Sequence, residues 1–138
     1  MSSFRFRKKT EYGLIMMSLL AAGGKEALVS VHQMQEYGLP RSFLVKIARD
    51  LIKGGLIAAK EGRGGGYYLR KPASAVTLKD VVEALEGPVA TSSCIVHGVK
   101  CPLQEKCPHR KVMGQLTDEI TMTLSKYKLS EFELSKVA

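Results

Sequence analysis

Apolar residues recur at three- and four-residue intervals in several stretches of the chain, and in one short stretch they run together. Over residues 41–53, Phe43, Leu44, Ile47, Ala48, Leu51 and Ile52 form one stripe of a period-3.6 helix, with Lys46, Arg49 and Lys53 largely outside it. Gly54-Gly55 stops that helix. Leu56-Ile57-Ala58-Ala59 then reads as a strand, Gly62-Arg63-Gly64-Gly65-Gly66 turns the chain, and Tyr67-Tyr68-Leu69 leads back. Upstream, Leu14, Ile15, Met17, Ser18, Leu20 and Ala21 leave little polar face on a predicted helix over 10–23, which is therefore expected to be largely buried. Thr10 is its expected N-cap, and Glu11 suits the positive end of its dipole. A second, short helix is predicted from Ser30 to Tyr37: Ser30 with Gln33 is a capping-box pattern, Val31, Met34 and Tyr37 face inward, and Gly38 ends it.

Beyond the hairpin, Lys71-Pro72-Ala73-Ser74 is a linker. Thr77 with Asp80 opens another helix, whose face is Leu78, Val81, Val82 and Leu85 and which Gly87-Pro88 closes. Residues 89–108 change character, because Gly98, Pro102 and Pro108 break regular structure. From about His109 a long helix is predicted, with Val112, Met113, Leu116, Ile120 and Leu124 as a seam suited to a partner helix. Ser130 with Glu133 is the expected cap of a final turn holding Leu129, Phe132 and Leu134. No internal repeat is visible.

Two helices joined by the tight Tyr37-Gly38-Leu39-Pro40 link, followed by a small hairpin with a basic tip, are how a winged helix-turn-helix presents itself. The expected class is mainly α with a small β-hairpin wing. Residues 1–88 would be a DNA-binding domain, 89–108 a cysteine-bearing loop, and 109–138 a dimerisation helix and tail. The long helix either folds back or pairs with a twofold mate; the second suits a helix-turn-helix protein that matches a palindromic operator.

Charge strengthens this picture. The chain has 138 residues, 45% of them hydrophobic, a formal net charge of +8 and a pI of about 9.5, which describes a globular protein with a polyanionic partner. Residues 4–9 carry Arg5, Arg7, Lys8 and Lys9 with no acid, and residues 41–70 hold seven Lys or Arg against Asp50 and Glu61. The bland alternative is a set of ordinary solubilising residues. Arg41 and Ser42, near the start of the second helix of the motif, are the candidates for base edges, with Val45 one turn on. Lys46, Arg49, Lys8 and Lys9 are candidates for phosphates, and Arg63 for the minor groove. Tyr67 is expected to anchor the wing to the body, and His32 to be solvated. An enzyme is not indicated: no nucleophile–base constellation is legible, and the glycine run lacks the Gly-Lys-Ser/Thr ending of a phosphate loop. The basic start is not followed by a signal-peptide pattern, and the apolar run Leu14 to Ala22 is far too short to span a bilayer. A cytoplasmic protein with no membrane partner is expected.

Three cysteines in a reducing compartment argue against a disulfide framework and for metal binding or redox sensing. Cys94, Cys101 and Cys107 are separated by six and then five residues, so three thiolates can bend round one metal or cluster. Soft sulfur ligands suit an iron–sulfur cluster or zinc, although an ordinary zinc knuckle would use Cys-x2-Cys spacing. Free or buried thiols remain the plain alternative.

At this point the chain resembles the IscR/NsrR/RirA/CymR-like family of small winged-helix regulators that sense iron–sulfur status, nitric oxide, redox state or cysteine supply. The resemblance is carried by Lys9-Thr10-Glu11-Tyr12-Gly13-Leu14, Leu39-Pro40-Arg41-Ser42-Phe43-Leu44, Gly62-Arg63-Gly64-Gly65-Gly66-Tyr67 and the run from Thr77 to Gly87, and covers residues 4–134. It implies a homodimeric repressor on a twofold-symmetric double-stranded operator. It also implies an iron–sulfur cluster, 2Fe-2S or 4Fe-4S, on Cys94, Cys101 and Cys107. For the fourth ligand it offers Glu11, the position matching a first-helix carboxylate donated by the other subunit in some members. His109 is the other candidate, one place short of the histidine in the cluster-assembly regulators; His97 is expected to point to solvent. Val45 stands where those regulators have a glutamate, which implies a different operator preference. Zinc or thiol–disulfide switching at the same cysteines is the alternative.

Overall fold

Two of the three capping pairs expected from the sequence, Ser30–Gln33 and Thr77–Asp80, close as capping boxes. In this computed structural model, which describes residues 4–24, 27–95, 101–103 and 106–133, the Ser30 hydroxyl accepts the Gln33 N–H at 3.1 Å and the Gln33 side chain accepts the Ser30 N–H at 2.8 Å. The Thr77–Asp80 pair does the same at 3.1 and 2.9 Å. Each box satisfies amide groups that the first helical turn leaves unpaired, which matters most for a helix of six residues. The order of elements is α1 (Lys8–Ala22), α2 (Val31–Glu36), α3 (Arg41–Lys53), β1 (Ile57–Lys60), β2 (Gly66–Leu69), α4 (Leu78–Glu86) and α5 (Arg110–Lys126), with 3₁₀ turns at Ala73–Ala75, Ser93–Ile95 and Leu129–Phe132.

Three local expectations are corrected. Helix α1 starts at Lys8, with Arg7 as a cap that makes no side-chain bond. Thr10 lies inside the helix, fully buried, because it shares the inward face with Gly13 and Met17. Tyr37 does not face inward; it is 58% exposed, and Leu39 fills the interior place at 2%. The last turn closes through the Lys128 N–H, which donates to the Glu131 carboxylate at 2.7 Å, two residues upstream of the expected Ser130–Glu133 cap. His97 and Leu134 lie outside the described residues.

The hairpin is antiparallel, with Ile57 opposite Leu69 and Lys60 opposite Gly66. On its other side Tyr67 exchanges two backbone hydrogen bonds of 2.9 Å with Val29, so β2 is paired on both edges at that residue. Tyr67 packs against the core, as expected of an anchor. A side chain at Gly66 would meet the Val29 carbonyl at 2.5 Å, so the close approach of the two backbones requires glycine.

The core gathers Met16, Met17 and Leu20 of α1, Met34, Leu39, the inner face of α3 (Leu44, Ile47, Leu51), Ile57 and Leu69 of the hairpin, and Val81 of α4. The chain returns to this core after α5. Leu78 N–H donates to Tyr127 O, Leu129 N–H donates to Val76 O, and the Leu129 side chain is fully buried. Helix α5 packs on α4, but Thr117 is its one buried residue. Of the seam, Val112 and Leu116 are 55% and 40% exposed while Met113, Ile120 and Leu124 are half-buried, so part of the seam is open within one chain.

Candidate nucleic-acid interface and cysteine connector

The apolar stripe of α3 decides which residues it presents. With Leu44, Ile47, Ala48 and Leu51 buried, Arg41, Ser42, Val45, Lys46 and Arg49 are all exposed on the outer side. Val45 is 65% exposed amid this polar, basic face. Arg63 is exposed at the tip of the hairpin. The turn is held there by the Gly65 N–H, which donates to Gly62 O at 3.1 Å.

The two lysines at the start of α1 differ. Lys8 is largely exposed, 3.1 Å from the Glu11 carboxylate and 5.2 Å from the centre of the Tyr12 ring. Lys9 instead forms a part-buried ion pair with Asp50 on α3, so its charge is taken up inside the chain. Arg49 also approaches Asp50, at 3.9 Å, but remains 75% exposed. The Tyr12 ring meets Phe43 edge-on, with centroids 5.1 Å apart. Between these contacts α1 lies close to α3: a Cβ on Gly13 would be 3.6 Å from Ile47 Cγ2. No short-range pattern announces the Lys9–Asp50 pair, whose members are 41 residues apart. His32 is exposed, 3.4 Å from Glu36.

Cys94, Cys101 and Cys107 are free and half-buried. Cys94 sits in the 3₁₀ turn, its Sγ 3.0 Å from the Ser92 hydroxyl. The start of the connector is clasped to α5: the Thr91 N–H donates to Thr117 Oγ1 at 3.2 Å, and the Thr91 hydroxyl donates to Met113 O at 2.9 Å. A buried threonine in the α5 seam was the available sequence signal for this clasp. His109 is exposed and immediately precedes α5 without making a side-chain cap bond. Glu11 is half-buried on α1. Among the described residues, no three His, Cys, Asp or Glu side chains are gathered closely enough to hold a metal ion. The donor set still fits a thiolate-held centre chemically: three half-buried cysteines free of disulfides share one connector, and soft sulfur ligands suit a soft metal.

A groove of about 850 Å³ lies beside the connector, lined by Phe4, Phe6, the end of α4 and the α5 residues Met113, Leu116, Ile120 and Leu124. Glu86 also lines it, with Oε2 buried and lacking a hydrogen-bond partner, and with Arg7 4.0 Å from its other oxygen.

Comparison with known proteins gives a consistent picture. Residues 6–132 match the Rrf2 family, described as an iron-dependent transcriptional regulator. Protein aau3 of Rhizobium meliloti (strain 1021) is 31% identical over 128 residues, which cover 92% of this chain and 83% of that protein. The structure of CymR (YrzC), the global cysteine regulator of B. subtilis, superposes with a TM-score of 0.73 at 25% identity, covering 98% of this chain and 99% of that one. T. potens IscR shares the fold with a TM-score of 0.75 at 23% identity, covering 99% and 90%. No helix among the described residues is long and apolar enough to cross a membrane. The chain belongs to the Rrf2 family of winged-helix, DNA-binding transcription regulators.

Proposed function

We propose that this protein is a cytoplasmic homodimeric repressor whose grip on a twofold-symmetric operator is controlled by an iron–sulfur centre on Cys94, Cys101 and Cys107. The observation that supports the control element is the presence of three free, half-buried cysteines on one connector of an Rrf2-family chain. The fourth ligand is Glu11 of the partner subunit or, failing that, His109. Such a centre supplies sensitivity to redox state, nitric oxide and iron–sulfur supply. Residues 1–88 read DNA, 89–108 carry the thiols, and 109–138 pair the subunits. In the reading head, Arg41 and Ser42 address base edges, Val45 a thymine methyl group, Lys46, Arg49 and Lys8 phosphates, and Arg63 the minor groove. Lys9 is not assigned to phosphate, because Asp50 holds it. Pairing draws on the open α5 seam and the adjoining groove, which a second copy covers through a self-complementary patch.

The test is anaerobic purification followed by visible absorbance, iron and sulfide analysis, and operator binding on the same samples. The expected result is a coloured protein with matched iron and sulfide whose operator affinity changes when the centre is removed. Cys101→Ala is expected to lose iron and sulfide and keep the fold; full retention of both would defeat the assignment. Glu11→Ala and His109→Ala identify the fourth ligand. A second reading is a thiol–disulfide switch or zinc at the same three free thiols. It predicts colourless protein whose DNA binding responds to oxidant or to chelator.

A further inference from the structure

We propose that Lys9 and Asp50 are positioning residues for DNA reading: with the Tyr12–Phe43 ring pair they form a two-point clamp by which the first turns of α1 set the tilt of the recognition helix α3. Lys9, Tyr12 and Gly13 lie on one face of α1, at i, i+3 and i+4. They meet Phe43, Ile47 and Asp50, which lie on one face of α3 at i, i+4 and i+7. The ring pair and the ion pair are seven residues apart on α3, or about 10 Å at 1.5 Å per residue. Between them Gly13 lets the α1 backbone approach Ile47 closely. The core holds the inner stripe of α3; on the α1 side the two contacts lie on either side of the Ile47 contact and resist rocking in either direction. The face held is a flank of α3, between its buried stripe and the exposed surface that carries Ser42, Val45, Lys46 and Arg49, so tilt about this flank is the variable that decides whether those side chains reach the groove floor. The ion pair can act as a strut because both side chains are mostly withdrawn from solvent, at 30% and 22% exposure. The exposed Arg49 contact with the same carboxylate is too screened to substitute for it.

The inference rests on the DNA-reading part of the proposed function and is independent of the cofactor. Its test turns on a sign. Long-range electrostatics predicts that Asp50→Asn, which removes a negative charge and frees Lys9, tightens binding to every DNA. The clamp predicts the opposite for specific DNA. The probes are a duplex selected by the anaerobically isolated wild-type protein from a randomised pool and a scrambled duplex of the same composition, each titrated over a salt series. Asp50→Asn and Lys9→Met are each expected to lower the selected-to-scrambled affinity ratio about tenfold, and their double variant to lower it no further, as for two partners of one interaction. The slope of log affinity against log salt stays unchanged. The charge swap Lys9→Asp with Asp50→Lys restores the ratio. If Asp50→Asn binds both duplexes more tightly, or if Lys9→Met flattens the salt slope by about one phosphate contact, the clamp is wrong. Phe43→Leu, which loosens the other contact, is expected to lower the same ratio and decides the matter should Asp50→Asn not fold. Failure of the wild type to enrich any sequence overturns the DNA-reading proposal and the clamp with it, whereas enrichment with an unchanged ratio in the variants overturns the clamp alone.

Discussion

Gly65→Ala separates two reasons for glycine in the wing. Gly62 and Gly64 have φ of +90° and +73°, but a Cβ at either would meet nothing within 4 Å. Gly65 is not among the positive-φ glycines, yet its Cβ would lie 2.1 Å from Lys60 O and 2.9 Å from Gly62 O. Real Cβ atoms essentially never come within 3.0 Å of a neighbour, so the Lys60 carbonyl must retreat by about 0.9 Å. Both obstructing atoms are backbone and no rotamer change relieves them. The retreat breaks the Lys60–Gly66 rung and the Gly65 N–H to Gly62 O bond, and two hydrogen bonds lost at about 1 kcal/mol each give about 2 kcal/mol. That is a fall in unfolding midpoint of roughly 6 °C for a domain of this size. Gly64→Ala costs only left-handed backbone strain, about 1 kcal/mol. The damage stays local, because the Ile57–Leu69 rung that enters the core is three residues away, about 10 Å along the strand. The expected outcome is a modest loss of thermal stability together with a loss of about tenfold in operator affinity, equivalent to about 1.4 kcal/mol, as Arg63 leaves its place. Thermal unfolding and operator titration of Gly64→Ala and Gly65→Ala side by side check this. If Gly64→Ala proves equal or worse in both assays, steric obstruction is not what reserves position 65 for glycine.

Gly13→Ala places a Cβ 2.2 Å from Leu85 Cδ1; overpacking of this kind should cost about 1–3 kcal/mol in denaturant unfolding, and combining it with Leu85→Ala should cost less than the sum of the two. Leu129→Ala removes a fully buried side chain and is expected to cost about 2–5 kcal/mol, measured by chemical denaturation, which shows that the segment after α5 belongs to the core. Ser30→Ala opens the box at the start of α2 and should cost about 1 kcal/mol, with faster amide exchange confined to that helix. Thr117→Val leaves the Thr91 N–H without its acceptor; a penalty of about 1–3 kcal/mol follows, together with faster alkylation of Cys94 as the connector loosens from α5.

Signals that act over one helical turn proved sufficient at α2, α3 and α4. The Ser30–Gln33 and Thr77–Asp80 boxes close as their spacing requires. The stripe Leu44, Ile47, Ala48, Leu51 faces inward and so dictates, without further information, that Arg41, Ser42, Val45, Lys46 and Arg49 face out. The same local logic misplaced the start of α1. A threonine before an apolar run looks like a cap, but the body of the protein offers a buried place for Thr10 and the helix extends beyond it to Lys8. Tyr37 shows the converse, being apolar enough for the interior but left outside once Leu39 has taken the space.

By itself, then, the chain's pattern of apolar, capping and turn residues determined the order of elements, the exposed face of α3, the basic tip of the hairpin and the presence of three cysteines on one connector. Only the tertiary structure decided that Lys9 is held by Asp50, that Val29 pairs with Tyr67, that Thr91 is clasped by Thr117 and that Leu129 returns to the core beneath Val76. The physical reason is separation along the chain. A cap or a helical stripe is settled by residues within a few positions of one another, whereas each of these contacts joins residues tens of positions apart and forms only when packing of the intervening helices has already brought the two segments together.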